Sequence, residues 1–104
     1  MFQGQGGTQL CTTAAGQVIG VAGRPTRIYS IEIISGATAG IVNLYNGIAT
    51  VTANLFVKET CTAVSTGNKF EYGPYGILFP NGCWYVEAVD ADVVSTTVSF
   101  TQEA

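Results

Sequence analysis

Between residues 26 and 34 the chain reads TRIYSIEII, with Tyr29, Ile31 and Ile33 on one parity and Ile28, Ser30, Glu32 and Ile34 on the other. Successive side chains of an extended backbone point to opposite faces, so this period of two predicts a strand. The segment VVSTTVSF at 93–100 alternates more cleanly, with Val94, Thr96, Val98 and Phe100 set against Ser95, Thr97 and Ser99. That pattern predicts one face in a core and one face in water. Shorter β-rich runs lie between and before these two: QVIGVA (17–22), IVNLYNG (41–47), TANLFVKE (52–59), KFEY (69–72), ILF (77–79) and CWYVEAV (83–89). No segment holds a 3.6-residue period across ten positions, so no long helix is expected.

Turn chemistry separates the runs. Gly23, the SGATAG connection, Asn46-Gly47, GPYG at 73–76, PNG at 80–82 and DAD at 90–92 are the residue types that reverse a chain between strands. Seven or eight short strands punctuated in this way predict an all-β fold, an antiparallel β-sandwich of jelly-roll or immunoglobulin-like type. In CWYVEAV, Trp84, Val86 and Ala88 are expected to face the core, leaving Tyr85 and Glu87 on the wetter or partner-facing side. Tyr72 and Tyr75 flank the Gly-Pro turn. Residues 1–16, MFQGQGGTQLCTTAAG, show neither period. They are expected to form an extended N-terminal arm that orders only against a partner, with residues 17–104 as the sandwich domain. Phe2 and Leu10 are the arm's large apolar side chains. CTTAAG at 11 and CTAVSTG at 61 echo each other, but the echo is too short to establish a duplication.

The length of 104 residues suits one domain. Hydrophobic residues make up 47% of it, which excludes an acidic disordered tail, whereas only 11% of residues are charged. Ordinary domains carry about 25% charge, so much of this surface must be Thr, Ser, Asn, Gln and Gly. Such a surface does little to repel a neighbour. Four basic residues against seven acidic ones, with no basic cluster, argue against a phosphate-tracking groove and hence against nucleic-acid binding. No apolar run approaches the length of about 18 residues that spans a membrane as a helix. The N-terminus has neither the basic region nor the apolar core of a secretory signal, so cytoplasmic synthesis is expected.

Candidate chemistry is sparse. There is no histidine, which removes the commonest general base and metal ligand. Asp90 and Asp92 share a turn, where Asp serves backbone hydrogen bonding, and two carboxylates fall short of a calcium site. Glu59, Glu71 and Glu87 fall on different strands with no spacing that calls for a catalytic pair. Cys11, Cys61 and Cys83 are odd in number and widely spaced. They are expected to be buried or half-buried thiols, with a Cys11–Cys61 bridge conceivable only after export from the cell. The expectation is a protein with no enzymatic activity, metal or cofactor. Tyr72, Tyr75, Trp84 and Tyr85 remain as an aromatic group that serves core and turns, a partner protein, or a glycan platform.

Two stretches carry a resemblance. GRPTRIYSIEIISGATAGIVNLYNG (23–47) and GILFPNGCWYVEAVDADVVSTTVSF (76–100) resemble small phage virion proteins. In those proteins a basic residue and a short strand, here Arg27 and Tyr29, precede a glycine-rich hairpin and an LYNG-like turn, here Leu44 to Gly47. An F-x-N-G strand, here Phe79, Asn81 and Gly82 leading to Tyr85 and Val86, then runs into a closing T-V-S-F strand, here Thr97 to Phe100. The three cysteines and Trp84 stand outside that pattern. The resemblance implies a β-sandwich subunit that decorates and cements the outer surface of a phage capsid, with neck, tail or fibre components as a lesser alternative. It implies the major capsid protein and copies of itself, as a homotrimer, for partners. Candidate contacts are Phe2, Leu10, Tyr72, Tyr75 and Tyr85. The rival reading is a small carbohydrate-binding module, which requires a solvent-open row of aromatics.

Overall fold

The computed structural model describes residues 4–11, 16–61, 68–88 and 93–103. They form nine strands: β1 (Gly4–Cys11), β2 (Gln17–Ile19), β3 (Thr26–Ser35), β4 (Gly40–Asn46), β5 (Leu55–Cys61), β6 (Asn68–Glu71), β7 (Ile77–Phe79), β8 (Cys83–Glu87) and β9 (Val93–Glu103). Thr52–Asn54 makes a short 3₁₀ turn before β5. One sheet runs β1-β9-β3-β6, with β7 also on β3, and the other runs β2-β8-β4-β5; every pairing is antiparallel.

The pairings follow a rule. β4 pairs β5, β3 pairs β6 and β7, β2 pairs β8, and β1 pairs β9. This is one long ribbon folded back on itself at the β4–β5 turn. Rolling that ribbon brings β9 onto β3 and β8 onto β4 as well. Of the two sandwich types expected, the chain therefore adopts the jelly roll.

Between the sheets lies a core that includes Ile19, Ile28, Ile31, Ile33, Val42, Leu44, Phe79, Tyr85 and Val98. The expected alternation of β9 holds over its middle: Thr96 and Val98 are buried, and Thr97 and Ser99 face out. In β3 the phase changes. Ile28 is buried, and so are Ile31 and Ile33, because the register against β9 slips between Ile28 and Ser30. A bulge inserts one residue and reverses the facing of everything after it. Both apolar sets of TRIYSIEII thus supply the core, one on each side of the bulge.

Two expectations are corrected. The first concerns the arm. Gly4–Cys11 is a strand registered against β9 from Gly4↔Glu103 to Cys11↔Thr96, and Cys11 is fully buried. Hydrogen bonding to a long neighbour supplies the order that the glycine-rich composition does not. Phe2 lies outside the described residues, as do Asp90 and Asp92. The second concerns β8. Cys83, Tyr85 and Glu87 face inward, while Trp84 and Val86 lie on the outer side. Trp84 lies against Gly16, where a Cβ would overlap the indole, and its Nε1 donates to Thr50 Oγ1 at 3.0 Å. A strand carrying one aromatic on each face has no parity preference of its own. Here Tyr85 finds polar partners inside and Trp84 finds one outside.

Side chains close both flanks of the sandwich. Where β1 runs beside β2, Gln9 Nε2 donates to Val18 O at 2.8 Å and Gln9 Oε1 accepts from Gly20 N at 2.9 Å. Gln102 repeats the device, with Oε1 accepting from Val21 N and Nε2 donating to Val21 O, both at 2.9 Å. Each amide takes the place of a peptide unit in a missing strand. On the opposite flank Phe56 of β5 meets Phe79 of β7, ring centroids 5.2 Å apart. There too the Tyr72 hydroxyl donates to Glu59 Oε2 at 2.9 Å.

Candidate interaction surfaces

The turns of the β2–β3, β4–β5 and β7–β8 connections meet at one end of the sandwich. Gly47 N donates to Gly82 O at 2.9 Å, and Asn81 N donates to Asn46 Oδ1 at 2.8 Å. The LYNG and F-x-N-G motifs are thus bonded to each other, which gives their residue types a structural reason. Gly82 has φ +100°, and a Cβ there would lie 3.0 Å from Gly23 N, so only glycine lets the three turns close together. Of the exposed apolar residues, Val21 lies in the β2–β3 connection and Ile48, 60% exposed, and Val51 lie in the β4–β5 connection, while exposed Leu55 and Phe56 begin β5. Single apolar side chains on a surface are ordinary, but several on turns that converge at one end are a feature of contact surfaces. The signal in the sequence was present: Ile48 and Val51 sit in a turn segment after Asn-Gly, where polar residues are usual.

The second surface is the outer face of the β1-β9-β3-β6 sheet. Thr8, Ser30, Glu32, Lys69, Thr97 and Ser99 line a depression of about 220 Å³. Register sets Glu32 opposite Lys69 and opposite Thr97, which places one acid and one base among hydroxyls. Leu10, opposite Thr97 and 60% exposed, stands at the margin of this face.

The candidate contact residues scatter. Tyr75, 80% exposed, tips the β6–β7 turn, which Arg27 Nη1 holds by donating to Tyr75 O at 2.7 Å. Tyr72 is half-buried and is tied to Glu59 as the flank strut. Its hydroxyl is pushed up in pKa, first by burial and then by the Glu59 bond. Tyr85 is fully buried and belongs to the core, so its place among the contact residues is withdrawn. The structure brings no two of Leu10, Tyr75 and Trp84 into an open aromatic or apolar row.

Tyr85 instead centres an interior polar group. Its hydroxyl lies 2.8 Å from Glu87 Oε2 and 2.8 Å from Thr96 Oγ1. A phenol has one proton, so it donates to the carboxylate and accepts from the threonine. Burial, together with the Glu87 bond, raises the Tyr85 pKa, and the Thr96 bond opposes that shift. Burial first, then the charge of Glu87, pushes the Cys11 thiol up to about 12, and burial with Cys11 nearby raises Cys83 as well. Cys11, Cys61 and Cys83 are all free and buried. Thiols held protonated, as those of Cys11 and Cys83 are, make poor nucleophiles and poor metal ligands. Among the described residues no three His, Cys, Asp or Glu side chains group as a metal site, and no helix is long and apolar enough to cross a membrane.

No protein-family model matches the chain, and no curated protein matches it either. Among solved structures, it is similar to a chain of the virus-like particle of extra small virus from the giant freshwater prawn Macrobrachium rosenbergii, seen by cryo-electron microscopy. The identity is 6%, the TM-score 0.48, and the match covers 98% of this chain and 79% of that one. At that identity and score, nothing about function passes from that chain to this one.

Proposed function

We propose that the protein is a structural subunit of a virus particle, a decoration or cement protein on the outer surface of a phage capsid. The observation that carries this reading is that the converging turns at one end of a jelly roll carry exposed apolar side chains, Val21 in the β2–β3 connection and Ile48 and Val51 in the β4–β5 connection. A jelly roll by itself serves viral shells, lectins and cupins alike. The resemblance of residues 23–47 and 76–100 to small phage virion proteins supports the first of these. The sparsely charged surface supports it too, because packing against neighbours then desolvates few ions. The carbohydrate alternative needs an open aromatic row, and the aromatics here are dispersed between core, flank and turn.

In this reading the apolar end seats on the major capsid protein, and Leu10 and Tyr75 touch further neighbours or copies of the same chain. The homotrimer implied by the resemblance is the oligomer to test. The work done is mechanical: several modest contacts to different shell subunits tie them together, and simultaneous engagement multiplies the affinity. Mass spectrometry and imaging of purified virions that encode the chain test the reading. Stoichiometric copies on the head exterior are expected, with occupancy lost in an Ile48→Asp, Val51→Asp variant that still folds. Density at the neck, tail or fibre would move the assignment there, and absence from the particle would end it.

A further inference from the structure

The outer edges of the two sheets differ in kind. Edge strands offer unpaired N–H and C=O groups to any passing strand, and proteins protect them with charge, proline, shortness or cover. β5 carries Lys58 and Glu59, and β6 carries Lys69 and Glu71. β2 and β7 are three residues each, and Gln9 takes the outward groups of Val18 and Gly20 beside β2. β1 is neither charged, nor interrupted by proline, nor short. It runs eight residues, GQGGTQLC. β9 occupies one side of it along its whole length, and no described strand occupies the other. In an antiparallel ladder alternate residues turn their backbone groups to opposite sides, so half of those of β1 point away from β9.

We propose that a second copy of this chain pairs there, β1 against β1, antiparallel about a twofold axis. A strand edge is satisfied by a strand, and pairing a strand with its own copy in this way is self-complementary and closes at two. The stretch carries no charge to repel its own copy, and Gly6 and Gly7 place no side chain at the middle of the seam. Keeping both cores on one side of a merged sheet requires residues of like parity to face each other. An axis through Gly7 does so, setting Gly4 of each copy against Leu10 of the other and bringing the exposed Leu10 to the seam. The inference rests on the sheet edge alone, independently of the capsid reading. A dimer that never joins a particle would keep the one and end the other.

The test uses the full chain, by sedimentation equilibrium and amide hydrogen exchange. One strand pair is a small contact, so dimerisation is expected within roughly 5 µM to 1 mM rather than at nanomolar concentration. Alternate amides of residues 4–10 should gain at least about tenfold protection as the dimer forms. The Thr8→Lys, Leu10→Lys variant, altered only at outward side chains, should keep its near-ultraviolet dichroism and sediment as a monomer. A chain that stays monomeric at 1 mM by this test overturns the proposal. So does a dimer or trimer whose β1 amides exchange as in the monomer, or a dimer that the two lysines leave intact. Should the variant fail to fold, the exchange pattern of the unaltered chain decides alone.

Discussion

Replacing Tyr85 by Phe removes one oxygen from the middle of the core and keeps the ring that fills it. The Tyr85 hydroxyl is the partner of both Glu87 and Thr96, each buried and each at 2.8 Å. Losing a bond to a carboxylate costs about 1.5–3 kcal/mol, and the stranded Thr96 hydroxyl adds about 1 kcal/mol. The cavity contribution is small, because no carbon is removed. The expected loss is therefore about 3 kcal/mol, a large share of the roughly 5–15 kcal/mol that holds a domain folded. Urea denaturation followed by Trp84 fluorescence should show a lower midpoint with an unchanged slope. Thermal melting should fall by roughly 12–24 °C, at about 4–8 °C per kcal/mol for a domain near this size. Repeating the substitution in a Glu87→Gln background separates the charge from the rest. A neutral acceptor makes a bond about half as strong, so the second loss should be smaller by about 1 kcal/mol or more. A Tyr85→Phe loss below about 0.5 kcal/mol, slope unchanged, would show that the polar group contributes nothing and that Glu87 finds water instead.

The remaining expectations concern pH, packing and the first strand. The Cys11 thiol ionises at 9.0 when unfolded and is held protonated to about 12 when folded. Its contribution is thus complete below pH 9 and is lost as pH rises toward 12, at up to about 1.4 kcal/mol per pH unit. Urea midpoints measured from pH 8 to 10.5 should fall, and a Cys11→Val variant should fall less steeply; a flat profile in the unaltered protein refutes this. Gly16→Ala would drive a Cβ into the Trp84 indole at φ +119°. It should cost about 2 kcal/mol and change Trp84 emission, and an unchanged midpoint would place the indole elsewhere. Deleting residues 2–11 removes β1, the buried Cys11 and the Gln9 bonds. The truncated chain should lose cooperative melting by circular dichroism; a fully stable product would restore the detachable arm.

Alternation and turn residues alone determined that this chain is an antiparallel β-sandwich. The DAD turn aside, each turn signal marks a connection between strands, because Asn-Gly, Pro-Asn-Gly and Gly-Pro act through their own dihedrals. The polar face of β9 was legible for the same local reason: Ser95, Thr97 and Ser99 cost nothing in water and would cost much in a core. Facing in β3 and β8 was not legible. A bulge at Tyr29 is set by the register with β9, and the inward turn of Tyr85 is set by Thr96, eleven residues away on another strand. The strand in residues 4–11 was hidden because its order comes from the partner ladder and not from its own side chains. The convergence of the turns that carry Val21, Ile48 and Val51 arises from the rolling of the ribbon, which brings together segments that are distant along the chain. A period of two reports only that a strand has two faces; which face is covered, and by what, is decided by the neighbours that tertiary structure supplies.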